Sequence, residues 1–206
     1  MQDDTGQTAP IVERAVTAWY RVVRFASVGV LWALSAWPIL TIPPATMAAC
    51  RAWQSDAELI PWRPFWQGLV RGGKSYAIGL PWGISVAIAL AEARVLTASR
   101  LPWTGVWEGM LLISELSLTV WVLYAWAAMA ADLSPWDGVR AGLLAMLGRP
   151  LTAGVAGIGV LAVIAVGWLV PVAVPLLWGG SFALAGTSGY RAAAGSSGCP
   201  RRSALR

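Results

Sequence analysis

Three ionisable residues within apolar segments are the first candidates for chemistry in this chain. Glu115 lies inside the otherwise uncharged stretch Met110–Ala131, and Glu92 and Arg94 lie near the end of the apolar segment before it. An ionisable side chain at membrane depth is costly and often belongs to a proton or solute path, unless a partner neutralises it. Glu108 and Glu115 are seven residues apart and therefore share a helix face.

Two hypotheses follow for these residues. In the first, Glu115 lines a proton or solute site. In the second, Arg94 pairs with Glu115 near the membrane surface, while Glu92 and Arg94 extend their charged ends to water. The shallow sequence position of all three residues favours the second hypothesis, because depth is what makes such residues expensive.

Other catalytic chemistry is not indicated. The chain has no His, its two Cys residues (Cys50 and Cys199) are far apart, and its carboxylates are not clustered. These features supply no metal-ligand set, no evident thiol pair and no acid–base dyad, and no nucleotide-binding loop is present. We therefore expect a protein that is not an enzyme and that has no cofactor, no metal and no nucleic-acid partner.

The elements that carry these residues belong to a membrane protein. Hydrophobic residues make up 57% of the chain and charged residues 12%, and mean hydropathy is +0.62. Soluble domains carry about 25% charged residues. No charge occurs between Leu151 and Tyr190. The sequence predicts an all-α polytopic membrane protein with four to five transmembrane helices: a polar or interfacial N-terminal segment (1–21), a helical transmembrane domain (22–190) and a disordered basic tail (191–206).

Segments of about 20 apolar residues, enough to cross a bilayer core of about 30 Å, mark the predicted spans. They are Phe25–Cys50, Tyr76–Ala98, Met110–Ala131, Leu151–Leu169 and a shorter fifth over 172–187. Pro38, Pro43 and Pro44 predict a break in the first span near 37–42. Pro171 and Pro175 favour a hairpin in the last run over one long kinked helix, which would overshoot the bilayer.

Two connections have helical patterns of their own. After Pro61, the cations Arg63, Arg71 and Lys74 fall with Gln67 on one face, opposite an apolar face (Phe65, Trp66, Leu69 and Val70). This pattern predicts an interfacial amphipathic helix whose cations face anionic headgroups. The stretch from Ser134 to Asp137 reads as a helix N-terminus, which predicts a second interfacial helix that ends at Gly148.

The second predicted span carries small residues every four positions: Gly79, Gly83, Ala87 and Ala91. We call this set the small-residue stripe. Short side chains at this spacing let a neighbouring helix approach closely. The stripe predicts a helix-packing face within the protein rather than a dimer interface.

The distribution of Lys and Arg bears on orientation, because positive charge prefers the cytoplasmic side. Five full spans favour an N-terminus outside the cell. A first segment that dips into the membrane and returns would instead place all 15 Lys and Arg residues except Arg94 and Arg100 on one face. Both arrangements put the loop around 63–74 and the tail in the cytoplasm.

A known family shows some of these features. The segment Trp32–Ala49, with its Pro-Ile-Leu-Thr-Ile-Pro-Pro-Ala-Thr core, resembles the bacterial YesL-like membrane family, and Pro64–Leu69 and Lys74–Ser75 are similar to that family's aromatic and basic segment. The resemblance runs from about Val22 to Tyr190, and the tail fits no pattern of the family.

The resemblance implies a multi-pass protein of the bacterial cytoplasmic membrane with an accessory role in carbohydrate uptake. Its partners would be the lipid bilayer and transporter subunits, and no catalytic or binding residue carries over. The alternative is an autonomous small-solute carrier or channel, in which Glu115 and the Pro-broken segments would form the path.

Overall fold

The computed structural model describes residues 8–36, 39–55, 60–99, 103–169 and 177–187, and in these ranges the chain is helical without strands. This confirms the predicted all-α class. Two short 3-10 turns, Ile39–Thr41 and Gly72–Ser75, accompany eight helices in the described ranges. The helices are α1 (Thr8–Ala36), α2 (Ile42–Gln54), α3 (Trp62–Val70), α4 (Tyr76–Ser99), α5 (Thr104–Ala130), α6 (Pro135–Gly148), α7 (Pro150–Leu169) and α8 (177–187).

Two segments are long and apolar enough to cross a membrane, Gly72–Ala98 and Thr104–Ala130. The pair α6 and Pro150–Val166 qualifies as a third only if both helices belong to one span, and they are bent by 103° at their junction. The described residues therefore contain two to three candidate spans. The larger number, four to five, stays a prediction, and part of its fifth span lies outside the described residues.

The first predicted span is divided into two helices that run antiparallel. Trp32 Nε1 on α1 donates a hydrogen bond to Thr46 Oγ1 on α2 at 3.1 Å. The Arg24 guanidinium donates to the backbone oxygens of Ala52 (2.9 Å) and Trp53 (3.2 Å). These carbonyls belong to the last turn of α2, where no amide of the helix remains to bind them. Arg24 therefore caps α2 and holds the open end of this first hairpin together.

Prolines occupy the beginning of α2, where a missing N–H breaks no helical bond. Pro43 and Pro44 are buried, and they pack against the beginning of the second hairpin, which α4 and α5 form. A Cβ atom built on Gly79 would lie 2.5 Å from Pro43 Cγ, so only glycine permits this approach. The closed end of the first hairpin thus contacts the first turns of α4.

α6 packs lengthwise on α5 instead of lying apart as a separate interfacial helix. A Cβ on Gly142 would come within 2.8 Å of the Ala125 backbone nitrogen, and Trp121 Nε1 donates to the Val139 oxygen at 3.1 Å. Its N-terminus forms as predicted, with Ser134 Oγ accepting from the backbone N–H of the third helical residue. The predicted interfacial helix therefore has correct ends, but one face is buried against α5.

The core surrounds the C-terminal half of α5. Every residue from 122 to 130 is buried there, in contact with elements that include α2, α6 and α7. In contrast, the other half of the α4–α5 hairpin, 84–99 and 104–115, exposes large apolar side chains such as Ile88, Val106 and Ile113. The molecule is a helical cluster at one end of a long apolar hairpin.

Candidate functional site

Glu115 lies between the two helices of the long hairpin. Its Oε1 atom accepts a hydrogen bond from Ser85 Oγ at 2.7 Å, and its Oε2 atom is buried and has no partner in the described part of the chain. At 1.5 Å per residue, Glu115 lies about 17 Å from the beginning of α5 and about 22 Å from its end. It is therefore near the middle of the hairpin, deeper than its sequence position suggested.

Arg94 does not take the partner role that the sequence suggested. Ser85, and not Arg94, contacts Glu115, because Arg94 lies about 14 Å further along α4 than Ser85. Glu92 and Arg94 are both exposed. The three ionisable residues singled out from the sequence thus do not form one site.

Two more side-chain hydrogen bonds join α4 to α5. Trp82 Nε1 donates to Thr119 Oγ1 at 3.1 Å, and Thr97 Oγ1 donates to Glu108 Oε1 at 2.9 Å. Glu108 and Glu115 do share the face that looks towards α4. Together with the Ser85 contact, these bonds set the register of the hairpin at three levels.

The sequence reasoning missed Ser85, Trp82 and Thr119. A signal for them was present, because antiparallel helices joined by a short turn pair residues that lie about equally far from that turn. Ser85 and Glu115 lie about equally far in sequence from the short connection between α4 and α5, as do Trp82 and Thr119.

The small-residue stripe packs within the chain at one position. Gly79 contacts Pro43 and Trp126, whereas a Cβ on Gly83 would meet no atom within 4 Å. Ala87 and Ala91 are exposed. The predicted intramolecular packing face is therefore limited to Gly79, and the other three members face outwards from the described structure.

The predicted basic face also separates into two parts. Arg63 and Arg71 are exposed on and just after α3, but Lys74 Nζ turns to the Leu133 backbone oxygen at 3.0 Å. Nearby, Arg51 on α2 forms an ion pair with Asp132 at 2.9 Å. Lys74 therefore ties the beginning of α4 to the α5–α6 turn instead of belonging to an interfacial surface.

No group of three or more His, Cys, Asp or Glu residues that could hold a metal ion occurs among the described residues. No family model matches the chain, and neither curated proteins nor solved structures give a match. The resemblance to the YesL-like family therefore stays an expectation, and the features that bear on function are the hairpin and its surfaces.

Proposed function

We propose that this chain is a non-enzymatic integral membrane protein of the bacterial cytoplasmic membrane that serves as an accessory component of a carbohydrate uptake system. The observation that carries this proposal is the half of the α4–α5 hairpin that the other described residues leave uncovered. A hairpin of this length and hydropathy is suited to a bilayer, where its outer surface is available to other membrane helices. The carbohydrate role is supported by the family resemblance alone.

The distribution of Lys and Arg residues favours a topology with two membrane spans. If only α4 and α5 cross the membrane, all 15 Lys and Arg residues except Arg94 and Arg100 fall on one side. The positive-inside rule then places both termini and the helical cluster on the cytoplasmic side. Counting α6 and α7 as a third span would move the basic tail outside, which the same rule disfavours.

The surface offered to a partner is the outward part of the small-residue stripe. Gly83, Ala87 and Ala91 carry at most one methyl group each, and no other part of the described chain lies over Gly83. A transmembrane helix of a transporter subunit can approach such a surface closely enough for extensive van der Waals contact. Glu92 and Arg94 lie on α4 further towards the hairpin's tip than Ala87 and are exposed.

Site-specific photocrosslinking in cells tests the proposal. A photoreactive side chain at Ala87 should crosslink to a polytopic permease subunit, whereas the same group at Leu151, an exposed position on α7, should not. Ala87→Leu should also lower sugar uptake by the host, with Val155→Leu on α7 as the control. Crosslinks to lipid alone at Ala87, together with unchanged uptake in the Leu variant, would refute the proposal.

A second candidate function has one specific observation in its favour. Glu115 has an unpartnered, buried carboxylate oxygen near the middle of the hairpin, and a carboxyl group at such depth is a common element of proton and solute paths. In this alternative the protein alone carries a small solute. The accessory proposal predicts no such flux from the purified protein.

The substitution Glu115→Gln separates the two candidates. An amide keeps the shape of the carboxyl group and can still accept the hydrogen bond from Ser85, so an accessory protein should keep partner binding and host sugar uptake. A carrier should lose its pH-dependent flux in reconstituted vesicles. Reproducible flux by the purified protein that depends on both pH and Glu115 would overturn the accessory proposal.

A further inference from the structure

α3 has a buried face that attaches it to α2. Phe65 and Gly68 are buried, and a Cβ on Gly68 would lie 2.8 Å from Ala48 Cα. Because glycine lets the two helix backbones approach closely, α3 is held firmly along this side. The rest of its circumference is exposed to the surroundings of the protein.

The exposed circumference of α3 is divided into two adjacent strips. The apolar strip contains Trp62, Trp66 and Val70, whose exposed fractions are 50%, 42% and 82%. The basic strip contains Arg63, Gln67 and Arg71, which are all exposed. Each strip has a spacing of four residues, and the basic strip follows the apolar strip by one residue, so the two lie side by side along the helix.

This arrangement corrects the two-faced pattern expected from the sequence. Phe65, assigned to the apolar face, points into the protein, and Lys74, assigned to the basic face, bonds to the Leu133 oxygen. Trp62, which the pattern did not include, packs edge to face with Trp66 at 5.3 Å between ring centroids. α3 therefore has three faces: one bound to the protein, one apolar and one basic.

A bilayer surface matches both exposed strips at once. Tryptophan rings are favoured at the level of the headgroups, where their apolar part meets the acyl chains, and arginine beside them binds phosphate groups. The charge asymmetry agrees, because Arg51 and Lys74 lie at the same end of the hairpin as α3. Anionic lipids attract cations at this level, and the attraction is local because salt screens it.

We propose that α3 is a binding site for anionic phospholipid headgroups on the cytoplasmic leaflet. Trp62, Trp66 and Val70 enter the boundary of the acyl chains, and Arg63 and Arg71 bind the lipid phosphates. This site anchors the helical cluster to the membrane surface at the base of the hairpin. The lipid site requires that the protein lies in a membrane, but it requires no transporter partner. A failure of the lipid site would therefore leave the accessory role untouched, and the reverse also holds.

Lipid-dependent unfolding of the purified full-length protein tests the basic strip. In a neutral detergent, phosphatidylglycerol should raise the unfolding temperature more than phosphatidylcholine does. The double variant R63Q/R71Q should lose this difference, with apparent affinity for phosphatidylglycerol reduced roughly fivefold per arginine. The control R94Q/R100Q removes the same charge from the last turns of α4 and the residue that follows the helix in sequence, and it should keep the difference.

Three outcomes of that experiment would overturn the proposal. The first is an unchanged preference for phosphatidylglycerol in R63Q/R71Q. The second is an equal loss in R94Q/R100Q, which would show a general effect of net charge. The third is the same stabilisation by inorganic phosphate, which would identify a site for soluble anions instead of a lipid site.

The apolar strip needs a measurement of depth. In a Cys199→Ser background, where Cys50 is buried, nitroxide labels at V70C and Q67C report collision with oxygen and with a water-soluble nickel chelate in lipid nanodiscs. We expect the label at 70 to favour oxygen and the label at 67 to favour the nickel chelate. Equal water exposure at both positions, or protection from both reagents at 70 by a covering protein, would refute the lipid assignment.

Discussion

Two glycines four residues apart on α4 should respond in opposite ways to the same substitution. Gly79 lies against the first hairpin, whereas Gly83 has open space where a Cβ would stand. Gly79→Ala should destabilise the protein relative to Gly83→Ala. The pair is closely matched, because both positions are in one helix and the chemical change is the same.

The size of the difference follows from the distances. A methyl group at position 79 would lie 2.5 Å from Pro43 Cγ and 2.6 Å from Pro43 Cβ, against an optimum of about 3.5–4.0 Å between carbons. Proline is rigid, so the helices must separate, and such overpacking costs roughly 1–3 kcal/mol. Each variant also gains about 1 kcal/mol of helix propensity, which cancels in the comparison.

Thermal unfolding in detergent, followed by circular dichroism, measures this difference. For a chain of this size, 1 kcal/mol corresponds to about 2–4 °C, so Gly79→Ala should unfold roughly 2–12 °C below Gly83→Ala. Equal unfolding temperatures would show that the first hairpin does not pack on Gly79. Gly83→Leu should also be tolerated, and a loss of stability there would mean that this face packs against another copy of the chain.

Three further predictions concern the helical cluster. Asp132 has a φ of 67°, so Asp132→Ala should be less stable than Asp132→Gly by roughly 1–2 kcal/mol in a denaturant titration, and equal values would contradict the left-handed backbone. Ser134→Ala removes the cap that accepts from the Asp137 N–H and should cost about 1 kcal/mol in the same titration, unlike Ser134→Asn, which keeps a capping oxygen. Burial raises the pKa of the Cys50 thiol to about 12, so in a Cys199→Ser variant maleimide should label Cys50 only after unfolding, and labelling of the folded protein would place Cys50 at the surface.

Local sequence signals determined the class of the protein and the ends of several helices. α4 was expected over Tyr76–Ala98 and is found over Tyr76–Ser99, and α6 has its N-terminus where Ser134 and Pro135 indicated it. Apolar runs and caps are properties of a few neighbouring turns, because the bonds that satisfy a helix end come from residues close in sequence. The same reasoning could not separate a helix that lies in the membrane interface from one that packs within the cluster, as α6 does.

Periodicity also grouped residues correctly by helix face without telling what each face meets. Glu108 and Glu115 share a face, as their spacing indicated, yet the partner of Glu115 is Ser85 and not Arg94. Gly79 and Gly83 share a stripe, yet only Gly79 is covered. The geometry of a helix fixes which of its residues share a face. It does not determine which other segment that face contacts.

The contacts between distant segments depended on the tertiary structure alone. Lys74 is separated from the exposed Arg63 and Arg71 because its Nζ atom donates to the Leu133 oxygen in the α5–α6 turn. The close packing at Gly79 arises because Pro43, from another hairpin, reaches the first turns of α4. The hydrophobic effect brings apolar surfaces together without direction. The partner of Glu115 and the three faces of α3 depend instead on which segment lies opposite, and that is decided only when the helices pack.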